Sequence, residues 1–491
     1  MCNRIFRGFL TPLLLSAAAA GFISGCATNP VTGTPDIVFM TEATEISIGN
    51  RNDAEIRKRY GAYNNPELQS YVQRVGQQLA ARSHRPDLTY HFTILDTPEV
   101  NAFALPGGYI YITRGILAYL NSEAELSAVL GHEIGHVTAR HAVRQYTAAS
   151  TTGFVGAFIG VATGIPVTQD LFNTLGNAML SGYGRDHELE SDRLGAEYLA
   201  RAGYDPQAMI KVIGVLKNQE EFEKKRAAAE NRPPRIYHGV FASHPSADTR
   251  LQEVVGQADK FKTLSEAKLA RGDYLAKIEK LSFGDSDTNG VRHGNHFYHR
   301  DANFTLDFPE GWMLENDSRA VRAVSRDKQA ILQVDIDDLK KDINLADYLK
   351  NRMQVSSLEQ SGPLSGITWL SYAGVAPNSP YFGHRKTRAA AIDYNNRRLF
   401  FQGTTKEPGS FDANDPAFLA TIRSLHALTD KEKRIANGQH VHVIQARSDM
   451  TFASLAKASP LSENSESLLR LINDKFPDGE PQAGELIKII Q

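Results

Sequence analysis

Cysteine is nearly absent from this 491-residue chain, occurring only as Cys2 and Cys26. Once an export leader carrying Cys2 is removed, no partner remains for an intramolecular disulfide. Net charge is also scarce. Fifty-four Lys and Arg against fifty-six Asp and Glu leave a formal charge of −2, and a chain without a basic excess has no electrostatic reason to bind nucleic acid. Long apolar runs are missing as well: "FVGAFIGVATGIPV", Phe154 to Val167, is shorter than the ~20 residues a spanning helix needs. It reads as a buried or lid-like helix, with membrane-surface contact as the other option. What the chain has is length. One core does not extend over 491 residues, so two to four domains of ~100–200 residues each are expected.

The first 26 residues carry Arg4 and Arg7, an apolar run from Phe9, and small residues before Cys26. That is the pattern of an export signal rather than a fold element. Ile23, Ser24, Gly25 and Cys26 match the bacterial lipobox, which implies that Cys26 is the lipid attachment site and the mature N-terminus. Several acyl chains on Cys26 would hold the protein on a membrane without a spanning helix. In Gram-negative lipoproteins an acidic residue after the cysteine marks inner-membrane retention. Ala27 in that place implies, for a Gram-negative host, the periplasm and the inner leaflet of the outer membrane.

Composition divides the remainder. Residues 27–40, which begin "ATNPVTGTPD", read as a tether. Residues 41–282 form the first globular region, mainly helical with a small β-hairpin in "HFTILDTPEVNAFALPGGYIYITRG", where Pro106, Gly107 and Gly108 supply the turn. Residues 283–296 are polar and Gly-rich, a linker, and His293 and His296 there, with His299 just beyond, do not read as a metal site. Residues 297–428 alternate in short strands and end in the helix "PAFLATIRSLHAL", an α+β domain that resembles PsbP-like domains in "FPEGW" and its strand pattern. Residues 436–491 read strand, helix, helix, strand and resemble a LysM-type module. Ser448, Asp449, Met450 and Thr451 stand where LysM modules usually show Gly-Asp-Thr, so the fold is expected and glycan binding is not implied.

The chemistry sits in "GHEIGHVTARH", Gly131 to His141. Ser122 and Glu125 form a capping box ahead of it, and Leu126, Val129, Leu130, Ile134 and Val137 continue at helical spacing. On that helix His132 and His136 lie one above the other, the arrangement of two ligands to one tetrahedral zinc. Glu133, ~100° round, can reach water beside the metal without ligating it. His141, nine positions from His132, falls on the opposite side while the helix continues. Ala139 and Ala142 occupy the glycine and histidine positions of the longer metzincin motif, so the third ligand lies elsewhere. "GRDHELESDRLGAEYLARAGYDP" offers a second helix, closed by Gly203 and Pro206. Glu188, Asp192, Gly195, Ala196 and Leu199 share one face of it, whereas Glu190 lies on a more polar one. Glu188 is therefore the better third ligand, and Asp192 the acceptor that orients a ligand histidine. A core helix with hydrogen-bonded histidines is the bland alternative for an HExxH pattern standing alone.

Taken together, HExxH, then "ELESD", "NPVTG" and "NAFALPGGYIYITRGIL" resemble the zinc metallopeptidases of the CAAX prenyl protease type, in their periplasmic lipoprotein branch, over about Asn29 to Val255. The resemblance implies a zincin-type fold with one Zn²⁺ per subunit on His132, His136 and Glu188, and Glu133 as the catalytic acid and base. It also matches His244 of "SHPSADTRL" to a histidine that takes zinc's fourth position in a latent state, although a His-Pro pair is ordinarily a turn. The function implied is a metalloendopeptidase of the bacterial cell envelope acting on unfolded or misassembled envelope proteins. Asn101, Ala102, Phe103, Ala104 and Leu105 would offer an edge for a substrate strand. The C-terminal domains would dock onto outer-membrane assembly machinery or peptidoglycan. The alternative is a zinc-bound chaperone or assembly factor with little proteolysis.

Overall fold

A computed structural model describes residues 26–38, 40–152, 184–229, 267–316, 320–339, 343–461 and 464–491. The leader, the Phe154–Val167 stretch and His244 lie outside the described residues.

Two strands open the chain, β1 (Cys26–Thr28) and β2 (Pro35–Ile37), paired antiparallel. This corrects the tether. The same Pro, Thr and Gly content that suggests a loose segment also suits a tight turn: the Asn29 side chain accepts from the N–H groups of Val31 and Thr32, and Gly33 takes a φ of 69°. Val38 and Met40 then pack with Ile48, Val143 and Tyr146.

Helices α1 (Glu42–Tyr60) and α2 (Pro66–Ala80) start at side-chain caps from Thr41 and Asn65. Strands β3 (His91–Leu95), β4 (Ala102–Leu105) and β5 (Tyr109–Thr113) form a sheet in the order β3-β5-β4, with β3 parallel and β4 antiparallel to β5. The expected turn joins β4 to β5 through Gly107 and Gly108, at φ 80° and 91°. A Cβ on Gly107 would come within 2.6 Å of the Ile46 Cα, so the turn needs glycine twice over. After α3 (Arg114–Tyr119) comes α4 (Glu123–Thr138), which carries "GHEIGH" and is buried at every residue. Its polar positions therefore face protein and need partners there. Helices α5 (His141–Thr152), α6 (Arg185–Arg201) and α7 (Ala208–Ala229) complete this region, with α4 packed against α6, α2, α7 and β4.

The segment expected as a linker is folded. After α8 (Arg271–Lys277), it contains the second residue of β6 (Ser282–Phe283) and all of β7 (Val291–His293), and it runs into β8 (His296–His299), which pairs with β7. Its glycines serve the bends, and Gly290, at φ 96°, lies where a Cβ would strike the Phe297 ring. Strands β8, β9 (Phe304–Asp307) and a short strand at His426–Ala427 continue that sheet. A seven-stranded antiparallel sheet spans residues 313–405, with the helix Leu345–Met353 packed on one face and the helix Phe411–Arg423 on the other, an α+β arrangement.

The last segment follows the expected order of strand, two helices, strand: Gln439–Gln445, Phe452–Ala458, Ser465–Ile472 and Leu486–Ile490. It does not hang free. Its first strand pairs with β6, and Val441, Phe452, Leu469, Ile472 and Ile490 belong to the same hydrophobic core as α4. Lys488 is fully buried and donates to the carbonyls of Ala118 and Leu120 at 2.8 and 2.7 Å, just ahead of α4. Burial lowers the Lys488 ammonium well below its usual range and raises the nearby Glu125 carboxyl. Among the described residues no helix is long and apolar enough to cross a membrane.

Candidate metal centre

The Ser122 hydroxyl accepts from the Glu125 N–H and donates to the Glu125 carboxylate, whose other oxygen accepts from the Asn121 N–H. That anchors the start of α4 and sets its rotation. Helix α6 crosses it at backbone contact, because glycine stands at each point of approach: a Cβ on Gly135 would lie 3.0 Å from the Ser191 Cα, and one on Gly195 3.0 Å from the His132 nitrogen. The closeness carries Glu188 to the histidines.

His132 Nε2 and His136 Nε2 are 3.0 Å apart. Glu188 presents one oxygen 3.6 Å from His132 Nε2 and the other 3.5 Å from His136 Nε2. One donor atom from each of the three residues lies within 4.8 Å of the others, and all three residues are buried. Burial keeps the His136 imidazole neutral, with its pKa well below the usual histidine range, so that a lone pair is available at neutral pH. Asp192 accepts from His132 Nδ1 at 2.8 Å, which leaves His132 Nε2 as the donor atom to the metal. Two imidazole nitrogens and a carboxylate, with both Nε2 atoms aimed at one point, are a donor set that fits zinc.

Glu133 is buried and lines a cavity beside His132 together with Ala102, Val129, Met209 and Val212. A second cavity, lined by Ala104, Leu105, His136 and Arg140, flanks the other histidine. Strand β4 thus runs past both, and it is one of the two outer strands of its sheet among the described residues.

His141 does not point away. Helix α4 ends at Thr138, Arg140 takes a left-handed φ of 56°, and α5 begins at His141. The change of direction returns the ring to the site: His141 Nδ1 lies 2.8 Å from His136 Nδ1, and His141 Nε2 lies 3.0 Å from a Glu190 oxygen. His187 stacks on the His141 ring at 4.2 Å between centroids. Sequence reasoning missed His141 and Glu190 as neighbours of the site because their approach depends on a helix break that no Gly or Pro announces.

Residues 66–258 match peptidase family M48. M48 peptidases use zinc, and the cluster of His132, His136 and Glu188 lies within the matched span. The chain is 27% identical over 290 residues to the beta-barrel assembly-enhancing protease of Escherichia coli (strain K12), covering 57% of each chain. It is 28% identical over 295 residues to the protein of the same name in Yersinia pestis, again covering 57% of each. A mitochondrial metalloendopeptidase OMA1 of Arabidopsis thaliana is 36% identical over 129 residues, 26% of each chain. The chain therefore spans a little over half the length of the first of these relatives. Among solved structures, a cyanobacterial PsbP from Synechocystis sp. PCC 6803 aligns with 28% of this chain and 94% of its own, at 14% identity and a TM-score of 0.22.

Proposed function

We propose that this chain is a zinc metalloendopeptidase of the bacterial cell envelope that cleaves unfolded or misassembled envelope proteins. The observation that carries the reading is the convergence of His132, His136 and Glu188 from two helices, with Glu133 buried on the cavity beside them. Zinc held by these three supplies Lewis acidity, which makes water a stronger acid and a peptide carbonyl a better electrophile. Glu133 takes the proton of the attacking water and passes it to the departing amine. Asp192 holds His132 in the ligating tautomer. An extended substrate pairs with the outer edge of β4, from Asn101 to Leu105, and so passes between the two cavities.

The reading extends to parts supported by sequence alone. Cys26 carries the lipid, and the protein lies on the periplasmic face of the outer membrane of a Gram-negative host. The α+β region is PsbP-like and the last module LysM-like, and together they meet assembly machinery or peptidoglycan. The enzyme belongs to the lipoprotein branch of the CAAX prenyl protease type, and His244 would act as a further zinc ligand that keeps the enzyme latent at rest. His244→Ala should raise turnover of an unfolded substrate severalfold with zinc content unchanged, and loss of zinc together with activity would refute the latch.

The direct test is metal removal. The purified full chain should contain one zinc per subunit, degrade β-casein, stop when a chelator strips the metal, and resume when zinc is returned. Undiminished degradation by the stripped protein would refute the reading.

A further inference from the structure

We propose that His141 is a positioning residue for the metal ligand His136, and that Glu190 and Arg144 hold it to that task. The inference rests on the metallopeptidase reading and adds a support that the motif spacing does not contain. With Nε2 of His136 turned to the metal, its proton sits on Nδ1. That Nδ1–H is 2.8 Å from His141 Nδ1, which must then be an acceptor. An imidazole accepting at Nδ1 carries its proton on Nε2, and His141 Nε2 is 3.0 Å from a carboxylate oxygen of Glu190, which can only accept when ionised. Each N–H in the series from His136 through His141 to Glu190 thus meets an acceptor, and only one tautomer of each ring satisfies it. The parallel with the other ligand is close: His132 is held by Asp192 directly, His136 by Glu190 through one intervening imidazole.

The outer end is fixed as well. Arg144 donates to the same Glu190 oxygen at 3.2 Å and lies 3.6 Å from the carboxylate of Asp36 on β2. His141 is fully buried, and the Ser191 hydroxyl lies 3.3 Å from its Nδ1. The series Asp36, Arg144, Glu190, His141, His136 therefore runs from the ribbon that begins at Cys26 to the metal centre.

The test compares zinc dissociation constants, by competition with a chromophoric chelator, for the full-length wild type, His141→Ala, His141→Asn and Glu190→Ala. Outer-shell partners of metal ligands typically contribute about 10–100-fold in affinity, so His141→Ala should weaken zinc by that factor. His141→Asn places an amide oxygen near the lost Nδ1 and should restore most of it. Glu190→Ala lets His141 take the opposing tautomer, in which two N–H groups face each other, and should weaken zinc severalfold. Thermal midpoints of the zinc-free proteins identify a variant that fails to fold, and Glu190→Ala, at a partly exposed side chain, then decides the matter. Unchanged affinity in the folded variants, or equal weakening in His141→Ala and His141→Asn, would overturn the proposal while leaving the metallopeptidase reading in place. A wild type that holds no zinc would instead overturn that reading.

Discussion

Glu133→Gln should leave zinc content and thermal midpoint at wild-type values while slowing hydrolysis of an unfolded protein by about 10²–10⁴-fold, the usual contribution of a positioned acid and base. The size and shape of the side chain are retained. What is lost is the ability to take a proton from water and deliver it to the amine, because an amide is not a base at neutral pH. Glu133 lies on the same helix turn as His132 but is not among the three residues that converge, so the metal should not notice the change. The expected profile is thus a folded, zinc-loaded protein that binds substrate and does not cut it. Peptide mapping of proteins co-purifying with this variant would show what the enzyme acts on. A variant that degrades the unfolded substrate as fast as wild type would sink hydrolysis at this centre. Full complementation of a deletion strain by the inactive variant would favour the assembly-factor reading over proteolysis.

How much of the site was legible in the sequence depends on the range of the interactions. His132 and His136 were readable because a four-residue spacing on a helix fixes two side chains relative to each other without any tertiary knowledge. The choice of Glu188 over Glu190 came from the same local geometry applied to a second helix. The end of α4 was not readable. Helices that stop at a left-handed residue mostly use glycine or asparagine there, and here that residue is Arg140. Its backbone is held by its buried side chain, which donates to Glu45 at 2.6 Å and to the Met40 carbonyl at 2.7 Å. Those partners lie almost a hundred residues upstream, so nothing in "VTARHAV" marks the break, and local spacing puts His141 on the wrong side. The tether and linker failed for a related reason. Glycine, proline and threonine mark where a chain bends but not whether the bend belongs to a hairpin. In the ribbon at β1 and β2 the decision is made by what Val38 and Met40 pack against, which is α5 and α1.

Gly135→Val tests the contact on which the third ligand depends, and it should cost about 1–3 kcal/mol of stability, the usual range for overpacking a closed interface. Propensity alone predicts the opposite sign, since glycine is the worst ordinary residue inside a helix and valine improves on it by a few tenths of a kcal/mol. The interface decides instead. Even the Cβ would sit 3.0 Å from both the Cα and the carbonyl oxygen of Ser191, backbone atoms that cannot swing aside, so α6 must retreat as a unit. Glu188 and Asp192 flank that serine on the same helix. Zinc–ligand distances of about 2.0–2.2 Å leave little room for such a retreat, so zinc affinity should fall by at least tenfold along with the thermal midpoint. Gly195→Ala should be milder, because the closest atom to its new methyl group is the mobile end of Met209, at 2.6 Å, and only then the His132 backbone. Gly214→Ala, in α7 with nothing within 4 Å, should stabilise by up to about 1 kcal/mol and leave zinc untouched. If all three variants gained stability, helix propensity would be in control. Opposite signs at Gly135 and Gly214 are what close contact between α4 and α6 requires.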